Sequence, residues 1–281
     1  MPQLTRRVAL RLGARALGAA MSIWALSALQ EPPEVSASPA PFEPTAGNEL
    51  PTRLSGSFIS AARGGIPTNW VILRPPGGSA ALHPVIALHG KGGNANSVVD
   101  LGMEDQLAQL ARAGHPPFAV VGVDGGDTYW HRRVSGHDSG AMVLGELLPM
   151  LAARGLDTSR VAFLGWSMGG YGALLLGARL GAPQTAGICA VSPALFTSYT
   201  GSELGAFDSY EDWAQHNVFG LPALAKIPIR VDCGTSDRFY PATQQFVAQL
   251  RTPPAGGFSP GGHDVAFWRK QLPGELAWLA S

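Results

Sequence analysis

Short apolar segments alternate with helix-like segments along most of the chain, and this alternation restricts the fold more than any other feature. The predicted strands cover residues 56–62, 70–74, 83–88, 118–123, 160–164, 186–191 and 227–231. Helical patterns between the later strands cover residues 97–113, 141–154, 170–180 and 241–250. Because helical crossovers join parallel strands, the sequence predicts an α/β fold: a doubly wound, mostly parallel sheet with helices on both faces and a short insertion between strands 6 and 7.

Composition fits one such domain and excludes some partners. The chain has 281 residues, and 46% of them are hydrophobic, which is enough to fill a sizeable core. Its 20 basic and 20 acidic residues cancel, so no net field attracts nucleic acid. Cys189 and Cys233 are the two cysteines. We expect them to be free and buried, with a disulfide as the alternative.

The N-terminal segment has the pattern of an export signal. Arg6 and Arg7 precede an uncharged run at 16–29, and the order resembles a twin-arginine signal, with the general export pathway as the alternative. The predicted organisation is a signal peptide at 1–37, a Pro/Ala-rich tether at 38–53 and a folded domain at 54–281. The protein is therefore expected to be secreted, periplasmic or loosely associated with the cell envelope, with the signal either cleaved or kept as an anchor.

The sequence contains two GxSxG patterns, centred on Ser167 and Ser259. A nucleophile elbow needs a strand before the serine, a helix after it and an N–H on the following residue. Ser167 meets these requirements and Met168 supplies the N–H, whereas Pro260 after Ser259 has none. Ser167 is the predicted nucleophile.

A serine nucleophile needs a histidine base and an orienting carboxylate, and in this fold both follow it in sequence. His263 is the predicted base, since His216 is expected to be a surface residue, and Asp264 is expected to cap the next helix. Asp237 lies just past a strand and is the predicted acid, in preference to Asp232 within that strand.

A second oxyanion donor should follow the third strand, where the sequence reads HGKGG. The glycines allow close approach to a bound carbonyl. The Lys91 N–H is the first choice, with Gly92 in reserve, and His89 is expected to brace the loop.

Together, HGKGG, GWSMGG, the GTSD loop and GGHD resemble the serine esterases of the α/β-hydrolase superfamily. The GGHDVAFWR run resembles the esterase D group, which includes the antigen 85 mycolyltransferases. This resemblance implies a carboxylesterase acting through Ser167, His263 and Asp237 on a small-molecule, lipid or sugar acyl ester. It implies no metal or organic cofactor, and acyl transfer is the alternative.

Aromatic residues indicate the substrate pocket. Six of them lie between strands 6 and 7, which favours an apolar acyl or aromatic group or, equally, simple packing of the insertion. The candidate pocket residues are Tyr129, Trp130, Trp166, Phe196 and Trp213. His131 and His137 are expected to be too isolated for a metal site.

Two rival interpretations belong to other classes of protein. Residues 90–95 also fit a GxGxxA dinucleotide fingerprint, which would make the protein an exported nicotinamide-dependent oxidoreductase. Its acid, Asp124, lies 29 residues past Ala95 instead of about 20. The second rival is a non-catalytic envelope-binding protein that kept the fold.

Overall fold

Eight β-strands form one mixed sheet in the computed structural model, which describes residues 50–77 and 81–281. The strands are Arg53–Ser60 (β1), Ile66–Leu73 (β2), Pro84–Leu88 (β3), Ala119–Val123 (β4), Val161–Trp166 (β5), Thr185–Val191 (β6), Ile229–Gly234 (β7) and Ala255–Ser259 (β8). Their order is β1-β2-β4-β3-β5-β6-β7-β8. The pairs β1–β2 and β2–β4 are antiparallel, and all the others are parallel. The predicted mostly parallel sheet is confirmed.

Helices cover both faces of this sheet. They are Ser97–Asp100 (α1), Met103–Arg112 (α2), Ser139–Met142 (α3), Leu148–Ala153 (α4), Met168–Leu180 (α5), Tyr210–His216 (α6), Tyr240–Gln249 (α7) and Val265–Leu279 (α8). A π-helical turn, Val143–Leu147, joins α3 to α4, and a 3₁₀ turn spans Pro222–Lys226. Among the described helices, none combines the length and apolar character needed to cross a bilayer.

The sheet separates two apolar cores. On β3 and β5 every residue is buried, as expected for strands covered on both faces. One core packs Ile86 and Phe163 against α5 and the insertion, and the other packs Val85 and Leu164 against α1, α2 and α8. Because β3, β5, β7 and β8 run in the same direction, their carboxyl ends reach the same edge of the sheet.

Several predicted boundaries were wrong. The helix predicted at 97–113 is broken into α1 and α2, because Gly102 has a φ of 86°, and glycine tolerates that value best. Strand β8 and helix α6 had not been delimited in the sequence. The insertion lies between β6 and β7, as predicted.

The predicted signal peptide at 1–37 lies outside the described residues, as does most of the predicted tether at 38–53. The first described strand, β1, begins at Arg53. Cys189 on β6 and Cys233 on β7 are both buried and are not bonded to each other.

Candidate active site

Ser167 occupies a sharp turn between β5 and α5. Its φ and ψ are 56° and −123°, a conformation that costs energy for a residue with a β-carbon. The turn is tight because Gly165 and Gly169 cross closely: a β-carbon at position 165 would lie 2.2 Å from the Gly169 carbonyl oxygen. The turn places Ser167 at the N-terminus of a 13-residue helix, where the helix dipole favours negative charge.

Ser167, His263 and Asp237 form one hydrogen-bonded chain. Ser167 Oγ lies 2.8 Å from Nε2 of His263, and Nδ1 of His263 lies 2.9 Å from Oδ2 of Asp237. With the ring proton on Nδ1, the imidazole donates to the carboxylate and accepts from the serine hydroxyl. The structure thus brings together three side chains that are 26 and 70 residues apart in sequence.

Asp237 is held as a carboxylate. Its other oxygen, Oδ1, accepts a hydrogen bond of 2.8 Å from the Phe239 amide. Burial would raise the pKa of Asp237, but the hydrogen bonds from His263 and Phe239 outweigh burial, so the pKa lies below its ordinary value. Asp237 is therefore ionised at neutral pH and favours a proton on the facing nitrogen of His263.

Two main-chain amides lie beside the serine without a protein acceptor. Gly90 packs against the nucleophile, since a β-carbon there would lie 3.4 Å from Cβ of Ser167. The next residue is Lys91. Across the described chain, the N–H groups of Lys91 and of Met168 donate to no protein oxygen. The Gly92 amide, held in reserve as a donor, is instead bonded to Asp127 at 2.6 Å.

Polar side chains fix the loop after β3. His89 is buried, with Nδ1 2.7 Å from the Gly90 carbonyl and Nε2 accepting from the Gly125 amide at 2.9 Å, so it braces the loop. The Asp124 carboxylate accepts from the Ala95 amide at 2.8 Å. Asp124 and Asp127 therefore occupy amides that a dinucleotide phosphate would need, which contradicts the GxGxxA interpretation.

The insertion between β6 and β7 forms a cap that the β4–α3 loop clamps in place. The Arg133 guanidinium donates to both carboxylate oxygens of Asp208, at 2.7 and 3.2 Å, and to the carbonyls of Gly205 and Ala206. The hydroxyl of Tyr129 donates to Glu203 at 2.9 Å. The cap is thus attached by charge-assisted bonds rather than by apolar contact alone.

The five candidate pocket residues separate into two groups. Phe196 and Tyr129 belong to an aromatic row that continues through Phe239 to His263, with ring centroids 5.1 to 6.0 Å apart. Trp213 lies beside this row and donates to the Phe196 carbonyl at 3.2 Å.

The other two candidates are buried, as Tyr129 also is. Trp130 is fully buried, and its ring packs on the main chain of Gly125 and Gly172, where a β-carbon would come within 2.4 Å of it. Trp166 belongs to the core on the α8 face and packs against Trp268. Trp130 therefore supports the site from below, and Trp166 lies on the opposite face of the sheet from the cap.

The expected surface position of His216 was wrong, and so was the expected isolation of His131. His216 is buried and stacks on His131, with centroids 4.3 Å apart and planes 21° apart. Both rings approach Asp212, at 2.8 Å from His216 and 3.8 Å from His131. Ligand atoms of His131, Asp212 and His216 lie within 4.8 Å of one another, but both ring nitrogens of His131 face main-chain carbonyls, at 2.9 and 3.1 Å. The cluster instead connects cap and loop by hydrogen bonds, and burial lowers the pKa of His131 to about 4.

Sequence reasoning missed Arg238, Glu203 and the Phe239 amide. Arg238 and Phe239 follow directly on Asp237, and that adjacency was the available signal. Glu203 carried no signal, because only the folded cap brings it within 2.7 Å of Arg238.

Comparison with known proteins gives one family and one fold. Residues 65–279 match the family model Esterase, described as "Putative esterase". A search of curated proteins finds no match. A solved ferulic acid esterase is 18% identical, with a TM-score of 0.70 over 81% of this chain and 97% of that one. The S-formylglutathione hydrolase of Staphylococcus aureus is 17% identical, with a TM-score of 0.65 over 82% and 98%. The structural similarities confirm the α/β-hydrolase fold.

Proposed function

Because the chain belongs to the Esterase family of ester-hydrolysing enzymes, we propose that it is a serine carboxylesterase whose catalytic triad is Ser167, His263 and Asp237. The observation that carries the proposal is the unbroken hydrogen-bond chain through these three side chains, with spacings of 2.8 and 2.9 Å. Its geometry meets the distance requirement for a nucleophile and its base.

In the proposed mechanism His263 takes the hydroxyl proton as Ser167 Oγ attacks the ester carbonyl carbon. Negative charge then develops on the carbonyl oxygen, and the amides of Lys91 and Met168 stabilise it. His263 passes its proton to the leaving alkoxide, which departs as the alcohol and leaves an acyl-enzyme. Water, deprotonated by the same histidine, releases the acid and restores Ser167.

The proposed substrates are esters with an apolar or aromatic acyl group. The aromatic row of Tyr129, Phe196 and Phe239 leads from the cap to His263. These rings are buried, so they supply an apolar backing to the site, which suits such a group. A structurally similar ferulic acid esterase from Anaeromyces mucronatus is in complex with ferulic acid, an aromatic acid.

The second GxSxG serine provides a matched control for the test. We expect Ser167→Ala to lower turnover of nitrophenyl esters at least ~10³-fold and to abolish labelling by a fluorophosphonate. Ser259→Ala should retain both, because Ser259 lies at the end of β8 and bonds to Gln271. Equal rates for wild type and Ser167→Ala would refute the assignment. Absent labelling of the wild type would favour the non-catalytic rival.

The N-terminal sequence supports a further proposal, that the protein is exported. Paired arginines followed by an uncharged run have the order of an export signal. We expect a full-length fusion to appear outside the cytoplasm and an Arg6→Lys, Arg7→Lys double variant to remain inside. Equal distribution of the two fusions would exclude the twin-arginine route.

A further inference from the structure

Two consecutive cap residues, Glu203 and Leu204, contact side chains from the loops that carry the catalytic groups. Oε2 of Glu203 accepts from the Tyr129 hydroxyl at 2.9 Å, and Oε1 lies 2.7 Å from the Arg238 guanidinium as an ion pair without hydrogen-bond geometry. The next residue is Leu204, whose carbonyl oxygen lies 3.5 Å from the ammonium group of Lys91. This dipeptide therefore has polar contacts to Tyr129, Arg238 and Lys91.

Those contacts lead to the two loops that carry the catalytic groups. Lys91 follows Gly90, which touches Ser167, and supplies a proposed oxyanion amide. Arg238 follows Asp237, and its guanidinium lies 4.7 Å above the ring of Phe239, which packs edge-on against His263. The dipeptide thus contacts one side chain from the loop after β3 and one from the loop after β7.

Leu204 is exposed although its backbone is fixed. Its relative exposure is 97%, the highest among the large exposed apolar side chains of the described residues. Folding gains almost nothing from an apolar side chain left in water, whereas a ligand that covers it gains the full burial energy. Because its neighbours Lys91 and Arg238 adjoin the loops of Ser167 and Asp237, this exposed side chain is available to a substrate that extends from the triad to the cap.

We propose that Leu204 is a specificity-determining residue that contacts the apolar part of an extended ester, opposite the aromatic row. Glu203 is the positioning residue that holds it there through Tyr129 and Arg238. This assignment rests on the proposed esterase function. It predicts that the enzyme prefers esters with an acyl group long enough to reach from Ser167 to Leu204. Acetate esters, whose acyl group is too short to reach Leu204, should be poorer substrates.

The test compares nitrophenyl acetate with nitrophenyl esters of longer acyl chains. Leu204→Ala should lower kcat/KM about tenfold for the longest chain that wild type prefers, chiefly through KM, and leave the acetate rate within about twofold. Leu204→Met should keep the long-chain rate close to that of wild type, because methionine provides an apolar surface of similar size. The control is Ile59→Ala, since Ile59 is 66% exposed on β1, at the far edge of the sheet.

The outcomes separate the two proposals. A wild type that hydrolyses no ester would overturn the proposed function, and this assignment with it. A wild type that hydrolyses the whole series, with Leu204→Ala giving the same chain-length profile, would overturn the role of Leu204 alone. An equal loss on acetate and on long chains would likewise contradict it, because the loss would then come from the triad.

Discussion

Gly169 lies directly against the main chain of Leu88: a β-carbon at position 169 would be 1.8 Å from the Leu88 carbonyl oxygen. This contact sets the spacing between the first turn of α5 and the end of β3. It therefore also sets the spacing between Ser167 and the loop after β3 that carries Lys91. Gly169→Ala must push the two apart. We expect it to lower the free energy of unfolding by about 3 kcal/mol, at the upper end of overpacking costs, and to lower kcat more than it changes KM.

Gly145 provides the matched control. It lies in the π-helical turn, and a β-carbon there would meet no atom within 4 Å. Gly145→Ala should therefore raise the free energy of unfolding by about 0.5 to 1 kcal/mol, because alanine loses less backbone entropy in a helical segment. Urea denaturation of both variants checks the prediction, and a Gly169→Ala protein as stable as wild type would contradict it.

A second prediction concerns the carboxylate that orients His263. Asp237→Asn keeps the shape of the side chain, but its amide can donate to Nδ1 and so favours the wrong tautomer. We expect kcat to fall about 10³- to 10⁴-fold, by analogy with the chymotrypsin triad, with little change in KM. Ester hydrolysis under saturating substrate measures this.

The control for that change lies next to the histidine. Asp264 caps α8 by accepting from the Phe267 amide at 2.9 Å, and asparagine caps a helix equally well. Asp264→Asn should keep kcat within about twofold. A comparable loss in Asp264→Asn and Asp237→Asn would mean that Asp237 has no special role.

Much of the sheet and the order of the site residues could be predicted from the sequence, because both depend on local patterns. The strand before Ser167 and the helix after it are continuous apolar runs, and glycines at 165 and 169 mark the close crossing between them. Asp237 could be chosen over Asp232 because β7 ends before it, and Asp232 indeed pairs with Arg230 inside the sheet.

The cap could not be predicted in the same way. Its contacts join residues far apart in sequence, such as Arg133 and Asp208, which are 75 positions apart, and no local period encodes such pairs. His216 was placed on the surface for the same reason: its neighbours in sequence are polar, but His131 covers its ring from another loop. Trp166 was misplaced because aromatic character does not tell which face of a buried strand a side chain occupies.

A third prediction concerns the clamp that holds the cap. Arg133→Lys retains the charge but loses the planar fork that pairs with both oxygens of Asp208. We expect faster amide hydrogen exchange in residues 203–208 and a larger KM for long esters, because the cap rim loosens. Arg132→Lys is the control, since Arg132 is exposed beside it. Unchanged exchange in Arg133→Lys would show that the other contacts hold the cap without the Arg133 fork.

The last prediction concerns a buried acid outside the active site. Glu275 on α8 is 2% exposed, and Oε1 has no hydrogen-bond partner among the described residues. Burial, followed by the negative charge of Asp232, raises the pKa of Glu275 well above its ordinary value. The folded protein therefore keeps this proton at pH values where the unfolded chain, with the ordinary pKa of 4.5, has already released it.

The sign of the pH effect follows from that difference. Stability from the neutral acid is fully present below the unfolded pKa of Glu275 and is lost as pH rises towards the raised folded pKa, by up to about 1.4 kcal/mol per pH unit. Glu275→Gln cannot ionise, so its melting temperature should fall less than that of wild type between pH 6 and pH 8. Glu211→Gln changes an exposed glutamate on α6 and should behave like wild type. An equal fall of melting temperature with pH in Glu275→Gln and wild type would mean that Glu275 is charged in the folded protein. Arg230, which pairs with Asp232, would then be the positive charge that balances it.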